Sequence, residues 1–469
     1  MKKLICMFLS VIMILGLCAC GGSEGGTGAK SGLTVGYGKE KMMPKEPVYI
    51  AGGEDPTRIS TGYMDFLYAT CIAVTDEKGN TLLFITVDMQ SVAKSWGEAA
   101  RALVSQETGV PGENIHIAST HNHSGPGQNS DYQGVTAFKE VYNASIVRAA
   151  KAAMEDRSPA TIEAGSTETQ DMVFVRHYWM NDGTSYGNGH GSTASGYKEH
   201  MYDADETIQL VRFVRADAEK KDVLLMNYGS HATFNGSKSS GTSLSANYPG
   251  PARDYVEKNS DCLVAHFISA AGDQTPGSSV KPHDMDYVAY GEAYGKAVVE
   301  ALDSLKPVAG GEIRVASEVW TAGTNKMGIE RLAEATEVYN YFLEGGSAAA
   351  TQKATQMGFS SVYEARSIVQ HSKMGDTYDY RADALVIGEL AIVIASYEMF
   401  GMQGTYIREN SPYENTFVIT CANESNSYVS AEIGYEHHFY EANTSNCEKG
   451  TAEVFAQKFV DMLGKLKAN

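Results

Sequence analysis

Two histidines separated by one residue are the clearest candidates for chemistry in this chain. His121 and His123 lie in the segment 119–127 (STHNHSGPG), directly after a short apolar run that predicts a β-strand. Because alternate residues of a strand point to the same face, both imidazoles would project together. Two imidazoles held in this way suit a metal such as zinc, or one metal ligand beside a proton carrier. The motif alone is equally typical of two solvated histidines in a polar loop.

Two further candidates each follow an apolar run. His231 lies in 227–233 (NYGSHAT), and Glu398 follows 390–396 (LAIVIAS). Functional groups of α/β folds usually lie at the ends of buried strands. A polar residue at a strand end is nevertheless more often one that is only hydrogen-bonded within the protein. Neither residue therefore assigns a function by itself.

The elements that would position these residues alternate between strands and helices. The pattern predicts strands at 81–87, 115–118, 207–214, 222–228, 262–269, 312–320, 384–388 and 390–396. It predicts helices at 92–109, 135–155, 249–259, 285–305, 328–345, 361–372 and 450–467. This order indicates an α/β fold with mixed β-sheets and flanking helices. Since no repeat or proline-rich linker divides the chain, we predict a single large domain over residues 34–469.

Six segments of the chain resemble the neutral, non-lysosomal ceramidase family. They are THNHSGPG, FVRHYWMNDGT, NYGSHAT, LSANYPGPAR, FISAAGDQTPG and YVSAEIGYEHHFYEA. The matching segments lie between residues 119 and 442, and the resemblance extends over 34–467. Six matches together make a chance resemblance improbable, and they imply that the single large domain at 34–469 is a catalytic domain.

The resemblance implies an enzyme that hydrolyses a linear amide bond with one zinc ion and zinc-activated water. It implies a metal site formed by four residues, namely His121, His231, Glu398 and Tyr428. Nitrogen and oxygen ligands suit zinc, which lowers the pKa of bound water toward about 7. The chain departs from the family at Asn247, where relatives usually have Asp, and at Ser425 and Asn426, which replace a tyrosine-containing stretch.

The resemblance also implies roles for four residues near the metal. His123 would carry protons to the leaving amine. Arg176 and Tyr440 would hold polar atoms of the substrate, and Thr275 would supply a hydrogen-bonding hydroxyl.

The resemblance leaves the substrate open between ceramide and other N-acyl compounds. Segment 177–206 is polar, aromatic and glycine-rich, and the chain ends soon after the catalytic domain, whereas full-length ceramidases continue into a β-sandwich domain. Both features favour a compact acyl group over a long-chain ceramide. Against this, the helices predicted at 328–345 and 361–372 offer Phe342 and Leu343 for an apolar wall. A zinc esterase or other hydrolase on the same site, and an inactive lipid-anchored binding protein, are the alternatives.

The first residues predict export and a lipid anchor. Two lysines precede the apolar run 4–17, which is short for a membrane span. Residues 17–20 (LCAC) resemble the lipobox of bacterial lipoproteins, which implies cleavage before Cys20 and a lipid on its sulfur. We therefore predict a signal peptide at 1–19, a lipidated Cys20 that begins a flexible tether at 20–33, and an extracytoplasmic location in the cell envelope. An ordinary secretory signal is the alternative.

The charge balance argues against a nucleic-acid partner. With 38 basic and 57 acidic residues the net charge is −19, so phosphates would be repelled. We expect a small-molecule or lipid amide as substrate and membrane contact through the anchor alone, because no later stretch is long and apolar enough to span a bilayer. Cys71 and Cys262 are predicted to be buried thiols, whereas Cys421 and Cys447 could pair in an oxidising compartment.

Overall fold

The computed structural model describes residues 32–52, 57–187, 195–234, 241–345 and 347–468. The predicted signal peptide, Cys20 and nearly all of the tether lie outside the described residues. Within the described ranges, no helix combines the length and the apolar character needed to cross a bilayer.

Strands and helices are interspersed along the chain, with runs of strands and of helices between the alternating parts. The strands are β1 (Leu33–Lys41), β2 (Gly62–Tyr63), β3 (Tyr68–Thr75), β4 (Thr81–Val87), β5 (Ile115–Ser119), β6 (Ser158–Glu168), β7 (Phe174–Val175), β8 (His177–Met180), β9 (Ser185–Gly187), β10 (Tyr197–His200), β11 (Thr207–Arg215), β12 (Asp222–Tyr228), β13 (Ser243–Leu244), β14 (Cys262–Ile268), β15 (Gln274–Thr275), β16 (Lys306–Val308), β17 (Ile313–Gly323), β18 (Thr377–Ile387), β19 (Leu390–Ala395), β20 (Glu398–Met399), β21 (Asn415–Ile419) and β22 (Tyr428–Val429). The α-helices are α1 (Lys94–Thr108), α2 (Val135–Glu155), α3 (Pro249–Asn259), α4 (Tyr287–Ala301), α5 (Leu332–Gly345), α6 (Ser347–Gln356), α7 (Val362–His371), α8 (Gly401–Asn410), α9 (Glu432–Glu436), α10 (Tyr440–Thr444) and α11 (Thr451–Ala468).

The larger sheet has the strand order β14-β12-β11-β6-β1-β3-β4-β5, with β16 added beside β6. The pairs β4–β5 and β12–β14 are parallel and the others are antiparallel, so the sheet is mixed. Its two ends approach each other, because the Thr86 hydroxyl of β4 donates to the His266 carbonyl of β14 at 2.9 Å. This curvature brings the loop after β5 toward the loop after β12.

A second sheet, β17-β18-β19-β21, packs on the inner face of the first. One apolar core joins the two faces and includes Phe84 and Phe213 from the first sheet and Leu385 and Ile394 from the second. Helices α1, α2, α3 and α4 cover the outer face of the first sheet, and α8 and α11 cover the second. The result is a layered arrangement of helices, two sheets and helices.

Helices α5, α6 and α7 form a smaller apolar cluster of their own, which contains Val338, Phe359 and Ile368. It joins the rest of the molecule partly through α10, because the Tyr363 ring of α7 packs edge-on against the Tyr440 ring with centroids 5.8 Å apart. This cluster lies beside the site described below.

The predicted fold class, with mixed sheets and flanking helices, is confirmed. Helices α2 and α3 have the predicted bounds, whereas β18 begins at Thr377 rather than 384, because its first half is partly exposed and polar. No pattern identified β1, where Gly36 and Gly38 weaken the strand signal. A Cβ at these glycines would lie 2.0 and 2.1 Å from carbonyl oxygens of α2, so the close packing of that helix requires glycine.

Candidate metal centre

The four residues of the predicted metal site come from strand ends that meet at one place. His121 follows β5, His231 follows β12, and Glu398 and Tyr428 begin β20 and β22, which pair with each other in parallel. A bridge between Asn122 and Ala232 ties the two histidine loops together. These four segments are far apart in the chain, and the layered fold brings them together.

The side chains of these four residues also lie close together. Nε2 of His121 lies 3.2 Å from Oε2 of Glu398, and Nε2 of His231 lies 3.5 Å from the same oxygen. The Tyr428 hydroxyl lies 3.5 Å from Nε2 of His231. His123 also joins the group, because potential ligand atoms of the three histidines all lie within 4.8 Å of one another.

Backbone carbonyls orient the two predicted ligand histidines. Nδ1 of His121 lies 2.9 Å from the Gln90 carbonyl oxygen, and Nδ1 of His231 lies 2.7 Å from that of Ala271. A carbonyl only accepts hydrogen bonds, so the protonated nitrogen is Nδ1 in both neutral rings. Each Nε2 then directs a lone pair toward Glu398, which is the arrangement of metal-binding histidines.

The backbone near the site is held in an uncommon conformation. His121 has a φ of 55°, and Cys421, Asn423 and Ser427 in the loop before Tyr428 have φ values of 52°, 62° and 51°. Non-glycine residues seldom adopt this left-handed region, and such residues concentrate at functional sites. His121 therefore combines an uncommon backbone conformation with a side chain that contacts Glu398.

Electrostatics make His121 and Glu398 a coupled pair. Burial lowers the pKa of His121, but the Glu398 carboxylate and the Cys421 thiol outweigh it and hold that pKa well above the usual value. Burial raises the pKa of Glu398, but His121 and His231 hold it well below its usual range. Burial, Arg176 and His121 together lower the pKa of His231 to about 4. The site therefore holds one carboxylate and requires a positive charge beside it.

The donor set fits a divalent metal ion. Oε2 of Glu398 is buried, and the Nε2 atoms of His121 and His231 approach it at 3.2 and 3.5 Å. Without a metal the protonated His121 ring compensates the charge of this carboxylate, and a divalent ion between the three atoms would take the place of that proton. Imidazole, carboxylate and phenol ligands suit zinc.

Arg176 lies behind Tyr428 in a buried network. Its Nη2 donates to the Tyr428 hydroxyl at 3.1 Å, and its Nε donates to Oε1 of Glu441 at 2.6 Å. Oε2 of Glu441 lies 3.0 Å from Nε2 of His177. Burial, and then Glu398, raise the pKa of Tyr428 well above 10.0, so its hydroxyl keeps its proton in the absence of a metal. Arg176 is therefore placed to fix this hydroxyl.

The remaining predicted residues lie at different distances from the centre. The half-buried Tyr440 packs edge-on against Tyr428, with ring centroids 5.8 Å apart. Thr275 is buried in the short pairing of β15 with β7. It lies next to Gln274, whose carbonyl accepts from His231, but its hydroxyl shows no contact with the histidines in the described part of the chain.

Three residues of the site went unidentified in the sequence. Gln90 orients His121 through its carbonyl, and its Nε2 lies 3.5 Å from Nε2 of His123. Glu441 balances Arg176, and Sγ of Cys421 lies 3.6 Å from Nδ1 of His121. Gln90 closely follows β4, so the strand-end rule used for the histidines would have found it.

Two neighbouring cavities adjoin the centre. A polar one of about 200 Å³ is lined by His121 and Glu398, and a larger one of about 430 Å³ shares Gln90 and Ser91 with it. The larger cavity has an aromatic and aliphatic wall formed by Tyr49, Tyr132, Tyr339, Phe342 and Leu343. A more open cavity of about 1080 Å³, beside Asp203, contains none of the three histidines.

The structure bears on two further expectations. The described residues of 177–206 do not line the 430 Å³ cavity, and three of their ionisable side chains have partners elsewhere: His177 with Glu441, Asp205 with Arg408, and Glu206 with Thr169. The preference for a compact acyl group stays a prediction. Cys421 and Cys447 are not paired, and both are free buried thiols like Cys71 and Cys262.

Comparisons with known proteins agree with this fold. The family model described as neutral/alkaline non-lysosomal ceramidase, N-terminal, matches residues 34–280. The neutral ceramidase structure from Pseudomonas aeruginosa is 18% identical with a TM-score of 0.69, covering 93% of this chain and 74% of that one. A structure described as ceramidase complexed with C2 gives the same identity and TM-score, with 93% and 75% coverage. No curated protein sequence matches the chain significantly.

Proposed function

Because the chain belongs to the neutral/alkaline non-lysosomal ceramidase family, we propose that it is a zinc-dependent hydrolase that cleaves the amide bond of an N-acylated substrate, ceramide or a ceramide-like compound. The convergence of His121 and His231 on one oxygen of Glu398 carries the proposal. Both Nε2 atoms lie within 3.5 Å of that oxygen in a buried site, and both Nδ1 atoms face backbone carbonyls, so a metal ion could bind the three atoms together.

His121, His231, Glu398 and Tyr428 would hold the ion. Bound zinc would supply a Lewis acid that polarises the amide carbonyl and lowers the pKa of water toward about 7. The carbonyls of Gln90 and Ala271 hold the imidazoles in the tautomer that binds metal.

The remaining side chains would handle protons and position groups. His123 is half-buried next to His121 and could pass a proton to the leaving amine. Arg176 holds the Tyr428 hydroxyl in place, and the Glu441 carboxylate holds Arg176.

The paired cavities support an amphiphilic substrate. The polar cavity beside Glu398 would receive the amide and its hydroxyl groups, and the wall that includes Phe342 and Leu343 would contact the acyl chain. A cavity of about 430 Å³ falls within the ~300–1,000 Å³ that is typical of small-molecule sites. This wall is consistent with an apolar acyl group in the substrate. The preferred length of the acyl chain is a question for experiment.

The test is a comparison of N-acyl amides with matched esters, using the purified full-length chain with zinc, after chelation and after zinc is restored. We expect amide turnover that chelation abolishes and zinc restores. A clear preference for esters would support the alternative of a zinc esterase. Zinc binding without turnover of either class would support an inactive lipid-anchored binding protein.

A further inference from the structure

A separate pocket of about 620 Å³ contains two arginines. It lies between α1 and β18 and includes neither the histidines nor Glu398. Arg101 is the most deeply buried of its lining residues, with 8% of its surface exposed. Arg381 lines the same pocket, so two guanidinium groups share one cavity.

The Arg101 guanidinium lacks hydrogen-bond acceptors. Its Nε and Nη2 atoms are buried, and neither has a partner in the described ranges. These two N–H groups form the edge that binds a carboxylate or phosphate in bidentate fashion. Arg212 and Arg331 use this edge to bind Glu163 and Glu334. Arg101 therefore lacks the oxyanion that the other two arginines have.

The acidic groups around Arg101 are engaged with other cations. The carboxylates that act on it electrostatically are each ion-paired: Asp383 with Arg381, and Glu98 and Glu424 with Lys94. The other acid of the pocket, Glu113, is exposed at its rim. Burial, followed by the positive charge of Arg381, lowers the pKa of Arg101. Its charge is thus poorly compensated within the protein.

We propose that this pocket binds an oxyanion, a phosphate or carboxylate group, between Arg101 and Arg381. A rotation of the Arg101 side chain would turn its unused N–H groups from their buried position toward the anion, which would neutralise a charge that is unfavourable to bury alone. A water molecule could accept a hydrogen bond but could not balance the charge. The anion could be free in solution or could belong to a lipid headgroup, since both present the same chemistry.

The first test measures the thermal midpoint of the purified full-length chain against increasing phosphate, with ionic strength held constant by chloride. Ligand binding to the folded state raises the midpoint in a saturable way. Arg101→Met should remove this rise while folding as stably as the wild type in phosphate-free buffer, because it removes an uncompensated charge. In isothermal titration, losing one charge-assisted bidentate contact should weaken phosphate binding by about tenfold to a hundredfold.

Two controls make the result decisive. Arg148→Met removes an exposed arginine that pairs with Glu40, and it should keep the full phosphate response. Arg101→Lys keeps the charge but loses the bidentate edge, so its affinity should be intermediate. Vesicles that carry phosphatidylglycerol, compared with phosphatidylcholine vesicles, test the lipid source on the same variants. The proposal is overturned if Arg101→Met and Arg148→Met respond alike, or if neither phosphate nor the anionic vesicles bind.

Discussion

Nε2 of His123 lies 3.3 Å from Nε2 of His121, so the two ring nitrogens of the HxH motif meet beside the Glu398 carboxylate, with the ring planes at 77° to each other. This spacing is short enough for His123 to be a ligand, yet its position also suits a proton carrier. We expect His123→Ala to keep zinc and to lower kcat by about 10²–10⁴-fold, the usual contribution of a general acid or base. Elemental analysis alongside turnover checks this. Loss of zinc equal to that of His121→Ala would make His123 a ligand instead.

The purified chain should carry about one zinc ion, since the ligands form one site. His121→Ala and His231→Ala should each lose the metal and the activity, because each removes a nitrogen directed at Glu398. His283→Ala is the matched control, as this half-buried histidine binds the Pro276 carbonyl outside the site. Active protein without any transition metal would disprove the mechanism.

Glu441→Gln should destabilise the protein near neutral pH by about 3–5 kcal/mol, because it leaves Arg176 buried without its partner charge. Burial raises the pKa of Glu441, but Arg176 and His177 lower it to about 2, against an ordinary 4.5. The stabilisation by the Glu441 carboxylate is therefore complete above about pH 4.5 and is lost as the pH falls toward 2.

Urea unfolding measured across this pH range checks whether the contribution of Glu441 to stability is lost on acidification. The gap between wild type and Glu441→Gln should narrow as the pH falls from about 5 to 3. Glu436→Gln, which removes an exposed carboxylate paired with Lys449, should change stability little at any pH. A gap that stays constant with pH would mean that the ion pair is not its source.

Acyl-chain length should affect kcat/KM through the wall of the larger cavity. Each buried methylene contributes about 0.8 kcal/mol, so kcat/KM should rise about fourfold per CH₂ until the cavity is filled. Leu343→Asn should reduce this rise but leave the shortest substrate unaffected. Val319→Asn is the control, since Val319 is 67% exposed and lies outside the cavity. A preference for short acyl groups would support the expectation drawn from the sequence.

Cys20→Ser should move the protein from the membrane fraction to the soluble fraction, because the lipid on this sulfur is the predicted anchor. Fractionation followed by immunodetection measures the distribution. Cys262→Ser, which changes a buried thiol, should leave it unchanged. A Cys20→Ser protein that still sediments with membranes would contradict the lipobox prediction.

The sequence by itself determined the elements and the residues at their ends. Apolar runs identified β4, β12 and β19, and polar residues directly after such runs indicated His231 and Glu398. These signals are local, because strand periodicity and turn residues act over a few neighbours. The resemblance added Tyr428, which no local pattern indicates.

Only the tertiary structure decided which strand ends meet. The curved first sheet brings the loops of His121 and His231 together. Glu398 lies shortly after β19 of the second sheet and reaches the same place. Arg176 and Glu441 are 265 residues apart in the chain, so no local pattern could pair them. The apolar wall beside the centre likewise depends on how α5 and α7 pack. Long-range contacts depend on burial and on packing between layers. A single sequence shows which strands and helices form, but not which of them pack against each other.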